Sequence, residues 1–286
     1  MNHKQTMLKA AVNGFYSMQS TRIAVGNAVV GNFKSKIGQE PSKSEDTLDA
    51  DAKLLLSNLR ASYKKITDGI VSMTPRKFKK DGLIDAYSEF SLVQQYVNLV
   101  DAEDAAFKQI EYSVKEFPIW KRFLEDVKGV GPTMAAVIIS SFDIHKAEYP
   151  SSLWAYAGLD VVNGAGRSRK KEHLVDQTYL DKDGKEQTKK GISFNPFLKT
   201  KLIGVLGSSF VKTKGPYRDI YDNYKHRITN MPAHAEKTKA HLNNMAIRYT
   251  VKRFLADLYA AWRTIEGLPV AEEYSKAKLG IDHKVA

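Results

Sequence analysis

Apolar residues return at steps of three and four along most of this chain, and that period predicts a mainly α protein. The clearest case is Leu48, Ala52, Leu55, Leu56, Leu59, Tyr63, Ile66 and Ile70, one face of an amphipathic helix. Ser42 with Glu45, or Asp46, is placed to cap its start. Met73-Thr74-Pro75 ends it, because a residue before proline avoids helical dihedrals, and Arg76 to Lys80 reads as a basic loop. A second long helix is expected after Asp81, carrying Leu83, Tyr87, Phe90, Val93, Val97 and Val100. Asp101 is placed to cap a third with Ala105, Phe107, Ile110 and Val114. The first forty residues are less regular. Leu8, Ala11, Phe15 and Met18 suggest a short helix, and Gly26 and Gly31 interrupt the apolar series Ile23, Val25, Ala28, Val29 and Phe33. Residues 34–46 read as a linker. Residues 1–115 together form a helical region, a bundle or an oligomerisation arm.

Residues 116–286 form a second domain with a different rhythm. Two apolar helical patterns flank Gly129-Val130-Gly131, and Pro132 opens the second of them, where its missing N–H has no helical partner to lose. Trp154, Ala155 and Gly158 mark a short helix. From His173 to Phe194 the period changes: two extended runs, with Val175, Tyr179, Ile192 and Phe194, enclose Asp181-Lys182-Asp183-Gly184, a hairpin signal. Asn195-Pro196 then starts a helix as cap and first residue. Gly215-Pro216 starts another with Tyr217, Ile220, Tyr221 and Tyr224, and a last long helix runs from about Glu236 to Glu266. The expected fold is therefore mainly α, with one small β-hairpin.

Charge adds a direction. The net formal charge is +12, and residues 161–215 alone hold 12 Lys/Arg against 5 Asp/Glu. A positive field gathered in one segment favours a polyanion, and nucleic acid is the commonest one. There is no cysteine, so disulfides and thiolate metal sites are excluded. No apolar run reaches the ~18 residues of a membrane span, and the start of the chain has no signal-peptide core. A soluble, cytoplasmic protein is expected.

The glycine elbow stands next to that charge. Two glycines permit a tight turn and close approach of another backbone, and the amides that open the following helix suit a phosphate. This is the pattern of a helix-hairpin-helix, with Lys128, Gly129, Gly131 and Thr133 as its phosphate contacts. The basic insertion Asn163 to Lys171 adds Arg167, Arg169, Lys170 and Lys171, and Lys199, Lys201, Arg248 and Lys252 extend the cationic set. On the last helix Lys237, His241, Asn244, Arg248 and Lys252 share one face. Tyr179, Phe194 and Tyr217 stand near cations and could stack unpaired bases, although core packing is the commoner fate of aromatics.

Catalytic patterns are sparse. No Gly-Lys-Ser/Thr phosphate loop or dinucleotide fingerprint follows the glycines, and the seven histidines show no metal-ligand spacing. No cofactor and no metal are expected. His226 and His241 read as surface or satisfied residues.

The ordered segments Val127 to Ala136, Leu153 to Leu159, Ile192 to Lys199, Pro216 to Tyr221 and Lys239 to Arg248 resemble the C-terminal domain of the DEDD-type insertion-sequence transposases, the one-hundred-and-ten group. The similarity covers roughly residues 120–266. It implies DNA as partner and a mobile element or phage as context. The family also carries a resolvase-like α/β domain with four metal-binding acids and a catalytic serine after the Ala-Gly-Leu motif. Here residues 1–115 read as helical. Gly166 falls roughly where that serine would be, Ser168 is displaced beside arginine, and no base or metal is evident to activate it. The expected function is non-catalytic, largely sequence-independent binding of single- or double-stranded DNA by a homo-oligomer. The alternative is a transposase or recombinase that uses Ser168 with metal ligands supplied elsewhere.

Overall fold

The computed structural model describes residues 2–68 and 84–272. The side chains of Leu59, Tyr63 and Ile66, the Pro75 stop, the Arg76 to Lys80 loop and Leu83 lie outside the described residues. The protein is mostly helical with two small antiparallel hairpins, and its internal contacts divide it into two compact units: Ala10–Ile110, and Met1–Lys9 with Glu111–Ala286.

In the unit Ala10–Ile110, helices α1 (His3–Lys36), α2 (Ala50–Asp68) and α3 (Tyr87–Val114) share a core of Val29, Phe33, Leu48, Ala52, Leu56, Ile84, Phe90 and Val93. Three expectations are corrected here. First, Gly26 and Gly31 do not interrupt the first segment, because α1 runs through both. A glycine inside a helix costs roughly 1 kcal/mol against alanine, but a Cβ at Gly26 would stand 2.8 Å from the Tyr96 ring, so its absence lets α1 and α3 approach. Second, Asp49 caps α2 by accepting from the Ala52 N–H at 2.7 Å, in place of Ser42, Glu45 or Asp46. Ser44 caps a separate turn at Glu45–Thr47. Third, Asp101 lies exposed inside α3, and the two predicted helices are one. α1 and α3 run antiparallel, tied by Gln19 to Glu103 (2.9 Å), Arg22 to Glu103, Asn32 to Glu89 (2.7 Å) and Lys36 to Glu89 (3.0 Å).

The other unit is built on two buried helices, α5 (Pro132–Ser141) and α10 (Lys239–Ile265). Met134 to Ser140 of α5 are all buried, which explains why its sequence is apolar all round rather than on one face. The Gln5 side-chain amide, itself buried, donates to the Ile139 and Phe142 carbonyls and satisfies the C-terminal end of α5. Around these lie α4 (Pro118–Arg122), α6 (Pro150–Tyr156), α7 (Pro196–Thr200), α8 (Ser208–Lys212) and α9 (Pro216–Thr229). A π-helical stretch, Lys201–Gly207, joins α7 to α8, and a Cβ at Gly207 would lie 2.4 Å from Ile247, so this glycine lets the stretch close on α10. Phe210, Tyr217 and Phe254 form an aromatic layer with centroids 4.7–5.5 Å apart.

The predicted hairpin is present as β3 (Val175–Leu180) and β4 (Glu186–Gly191). A smaller one, β1 (Val161–Val162) with β2 (Ala165–Gly166), occupies the basic insertion. Asn163 and Gly164 both have positive φ, 51° and 76°, the signature of a type I′ turn. Asn195 caps α7 from its side chain, accepting from Leu198 N–H at 3.0 Å, and Thr238 caps α10 in the same manner.

Candidate nucleic-acid interface

The glycine elbow has two faces. α4 is followed by one 3-10 turn, Leu124–Asp126, so the segment before the elbow is shorter than the helix its apolar pattern predicts, while α5 after it is a full helix. Gly129 has φ +98° and faces inward: a Cβ there would stand 3.1 Å from Phe210 and from Ser209 Oγ, and Ser209 Oγ donates to the Gly129 carbonyl at 2.9 Å. Gly131 is exposed at the start of α5, with nothing within 4 Å of where its Cβ would be. Among the described residues no side chain caps that start, and its first turn carries no acid. The partial positive charge of the helix end, roughly half a proton charge, therefore points to solvent. Thr133 is half-buried in the first turn of α5, and the exposed Lys128 lays its stem against Gly215, 3.4 Å from the Cβ position.

The basic insertion divides into consumed and exposed cations. Arg167 forks onto Asp160, with N–H donors at 2.7–2.8 Å, and donates to Ser193 Oγ at 2.6 Å. The hydrogen bonds to Asp160 raise its pKa above the ordinary guanidinium range. Arg248 lies beneath Gly166 and donates to the carbonyls of Gly158 (3.1 Å), Leu159 (3.3 Å) and Asp160 (2.8 Å). Burial lowers its pKa, against the pull of Asp160. Lys199 donates to the Arg167 carbonyl and sits 4.8 Å over the Phe194 ring. Burial, and then the neighbouring charges of Arg248, Arg167 and Arg169, push its amine pKa down. These three therefore knit the chain around Asp160. Arg169, Lys170 and Lys171 are exposed beside them. The Lys170–Glu172 pair, at 3.7 Å and mostly in solvent, holds little. Lys201 lies 5.4 Å over Phe197 with its pKa lowered by burial, and Lys252 lies 4.2 Å over Trp154.

Ser168 does have a base beside it, contrary to the sequence expectation. Its Oγ is 2.9 Å from His173 Nδ1, its own N–H donates to the same nitrogen at 2.9 Å, and Oγ accepts from the Lys170 N–H at 3.3 Å. The Ser168 N–H makes Nδ1 an acceptor, which places the proton of the neutral ring on Nε2. His173 is only 4% exposed. The spacing of five residues in a polar loop carries no signal, and only the fold closes it.

Phe194 and Tyr217, two of the three aromatics near cations, are structural. Phe194 is buried against Gly158, which has a φ of +67° and no room for a side chain, because a Cβ would stand 2.5 Å from the ring. Tyr217 belongs to the aromatic layer and donates to Asp257 at 2.9 Å, and burial pushes its phenol pKa far up. Tyr179 is exposed on β3, with Lys189 4.8 Å over its ring.

Among the described residues no helix is long and apolar enough to cross a membrane, and no three His, Cys, Asp or Glu side chains gather as metal ligands. No curated protein and no solved structure matches the chain. Residues 121–176, which run from α4 through the glycine elbow and basic insertion to the first residues of β3, match the Transposase IS116/IS110/IS902 family, and this segment is similar to a transposase C-terminal region.

Proposed function

We propose that this is a cytoplasmic DNA-binding protein of a mobile element or phage that grips the sugar–phosphate chain without cutting it, and that residues 10–110 assemble copies of it. The observation that carries the reading is the uncapped, exposed start of α5 at Gly131, beside Lys128 and inside the segment similar to transposases. In this reading the elbow acts as a helix-hairpin-helix. The α5 amides take one phosphate, and Lys128, Arg169, Lys170 and Lys171 add contacts that carry no sequence information. Arg167, Lys199 and Arg248 shape the platform, and Lys201 and Lys252 flank it. The double substitution Lys170→Glu, Lys171→Glu tests the grip. Duplex affinity should fall equally on unrelated sequences, and the slope of log K against log salt should shrink by about 2. Unchanged affinity would remove these lysines from the interface.

One observation favours a second reading. With His173 Nδ1 at 2.9 Å, Ser168 Oγ can pass its proton to the ring as it bonds to phosphorus and a sugar oxygen leaves. The Ser168 N–H would then have to give up its bond to Nδ1, which costs about 1 kcal/mol. Supercoiled DNA with a divalent metal separates the readings: nicking abolished by both Ser168→Ala and His173→Gln supports a nucleophile, and none from the wild type supports a binder.

A further inference from the structure

The pair α9–α10 carries a flat stack that nothing in the elbow or the insertion uses. The rings of Tyr224 and Tyr249 lie 4.0 Å apart with planes only 9° from parallel. Two tyrosines prefer an edge-on or well-offset arrangement, because their π faces repel. Here the outer face of Tyr224 is covered by Arg227, whose guanidinium carbon is 5.0 Å from the ring centre. A cation on that face draws on the same electron density that opposes the stack. The result is a cation over a ring that is itself stacked on a second ring, and Arg227 at the outer end is exposed.

The frame beneath the stack is rigid and its surroundings are cationic. One turn before Tyr224, the buried Tyr221 donates from its hydroxyl to Asn243 of α10 and accepts from Lys225 Nζ at 2.8 Å. Between Asn223 and Ala256 the chain holds 7 Lys/Arg against a single acid, Glu236, and of the seven Arg248 is spent on the carbonyls of residues 158–160. Sequence periodicity assigns Tyr224 and Tyr249 to apolar helix faces and gives no hint that they meet.

We propose that the Arg227 end of this stack is a docking surface for an unpaired nucleobase, so that α9–α10 binds single-stranded nucleic acid separately from the α5 elbow. A guanidinium plane backed by aromatic rings is a stacking partner for a base whose faces are open. In a duplex those faces are already covered by neighbouring pairs, so the surface selects single strands. The flanking cations hold the backbone, and because every base has a face to stack, the surface is tolerant of sequence. This inference rests on the nucleic-acid reading above and adds a second surface with a narrower partner.

The test uses the full chain with fluorescent oligonucleotides: one single-stranded DNA and one single-stranded RNA, each with a 2-aminopurine, and a duplex of the same length. Arg227→Ala and Arg227→Lys are compared with the wild type, since an exposed position tolerates both and lysine keeps the charge while losing the plane. Both should weaken single-strand binding about tenfold and abolish the quenching of 2-aminopurine by stacking, with duplex affinity unchanged. The DNA and RNA arms show which strand is preferred. Wild-type affinity in Arg227→Lys would mean that only charge matters and would overturn the stacking claim. Duplex binding without single-strand binding would overturn this inference alone, whereas no binding to any of the three would sink the reading beneath it as well.

Discussion

The two glycines of the elbow should respond differently to the same methyl group. Gly129 has φ +98°, where an L side chain is strained, and its Cβ would press on Phe210 and Ser209 at 3.1 Å. The backbone strain alone costs about 1–2 kcal/mol, and the contacts bring Gly129→Ala to roughly 2–3 kcal/mol. At roughly 2–4 °C per kcal/mol for a unit of this size, its melting temperature should fall by about 4–12 °C. Gly131 has φ −92° and open space around it, so Gly131→Ala loses only the modest preference for glycine over alanine at an N-cap, about 1 kcal/mol or less. DNA binding should reverse that order. A methyl at Gly131 stands between an incoming phosphate and the α5 amides and should weaken duplex affinity about tenfold, the loss of one charge-assisted contact. Gly129→Ala, assayed well below its melting temperature, should bind like the wild type. Calorimetry and fluorescence anisotropy read the two effects. If Gly131→Ala bound DNA normally, the elbow would be an ordinary turn between packed segments and the phosphate assignment would be wrong.

Further outcomes follow from the same contacts. Arg248→Met removes three donors from the carbonyls of residues 158–160 and should lower stability by about 2–4 kcal/mol, read as a lower melting temperature before any change in salt-dependent binding. Burial alone would raise the pKa of Glu103, but hydrogen bonds from Arg22 and Gln19 outweigh it and hold the carboxyl below its ordinary range. The stabilisation this gives is therefore full above the unfolded carboxyl pKa of about 4.3 and lost as pH falls through the lower folded value. Melting of the wild type between pH 6 and pH 2.5 should show a loss that Glu103→Gln flattens, and equal pH slopes would rule that pair out.

What the sequence displayed was local, and what it hid was mostly long-range. Asp183-Gly184 between extended runs, Asn195-Pro196 and Gly215-Pro216 each specify their own backbone, and the β3–β4 hairpin and the starts of α7 and α9 fall where those pairs place them. Gly26 misled because its purpose is the Tyr96 ring of another helix, seventy residues away, which no local rule sees. Asn163-Gly164 is a turn signal with no strand pattern around it, because its flanking strands are two residues each and show no alternation. Counting charge located the cationic segment but could not sort it. Arg167 is matched by Asp160 within its own loop, while Arg248 is consumed by carbonyls about ninety residues earlier in the chain. The Ser168–His173 contact and the Tyr224–Tyr249 stack depend in the same way on packing rather than pattern.

Binding of the wild-type chain to a duplex across a salt series tests most directly whether the elbow and its exposed cations hold a phosphate backbone. With Lys128, Arg169, Lys170 and Lys171 each displacing a counterion, log K should fall against log salt with a slope of about −3 to −4. Absence of binding at low ionic strength, or an affinity indifferent to salt, would contradict it.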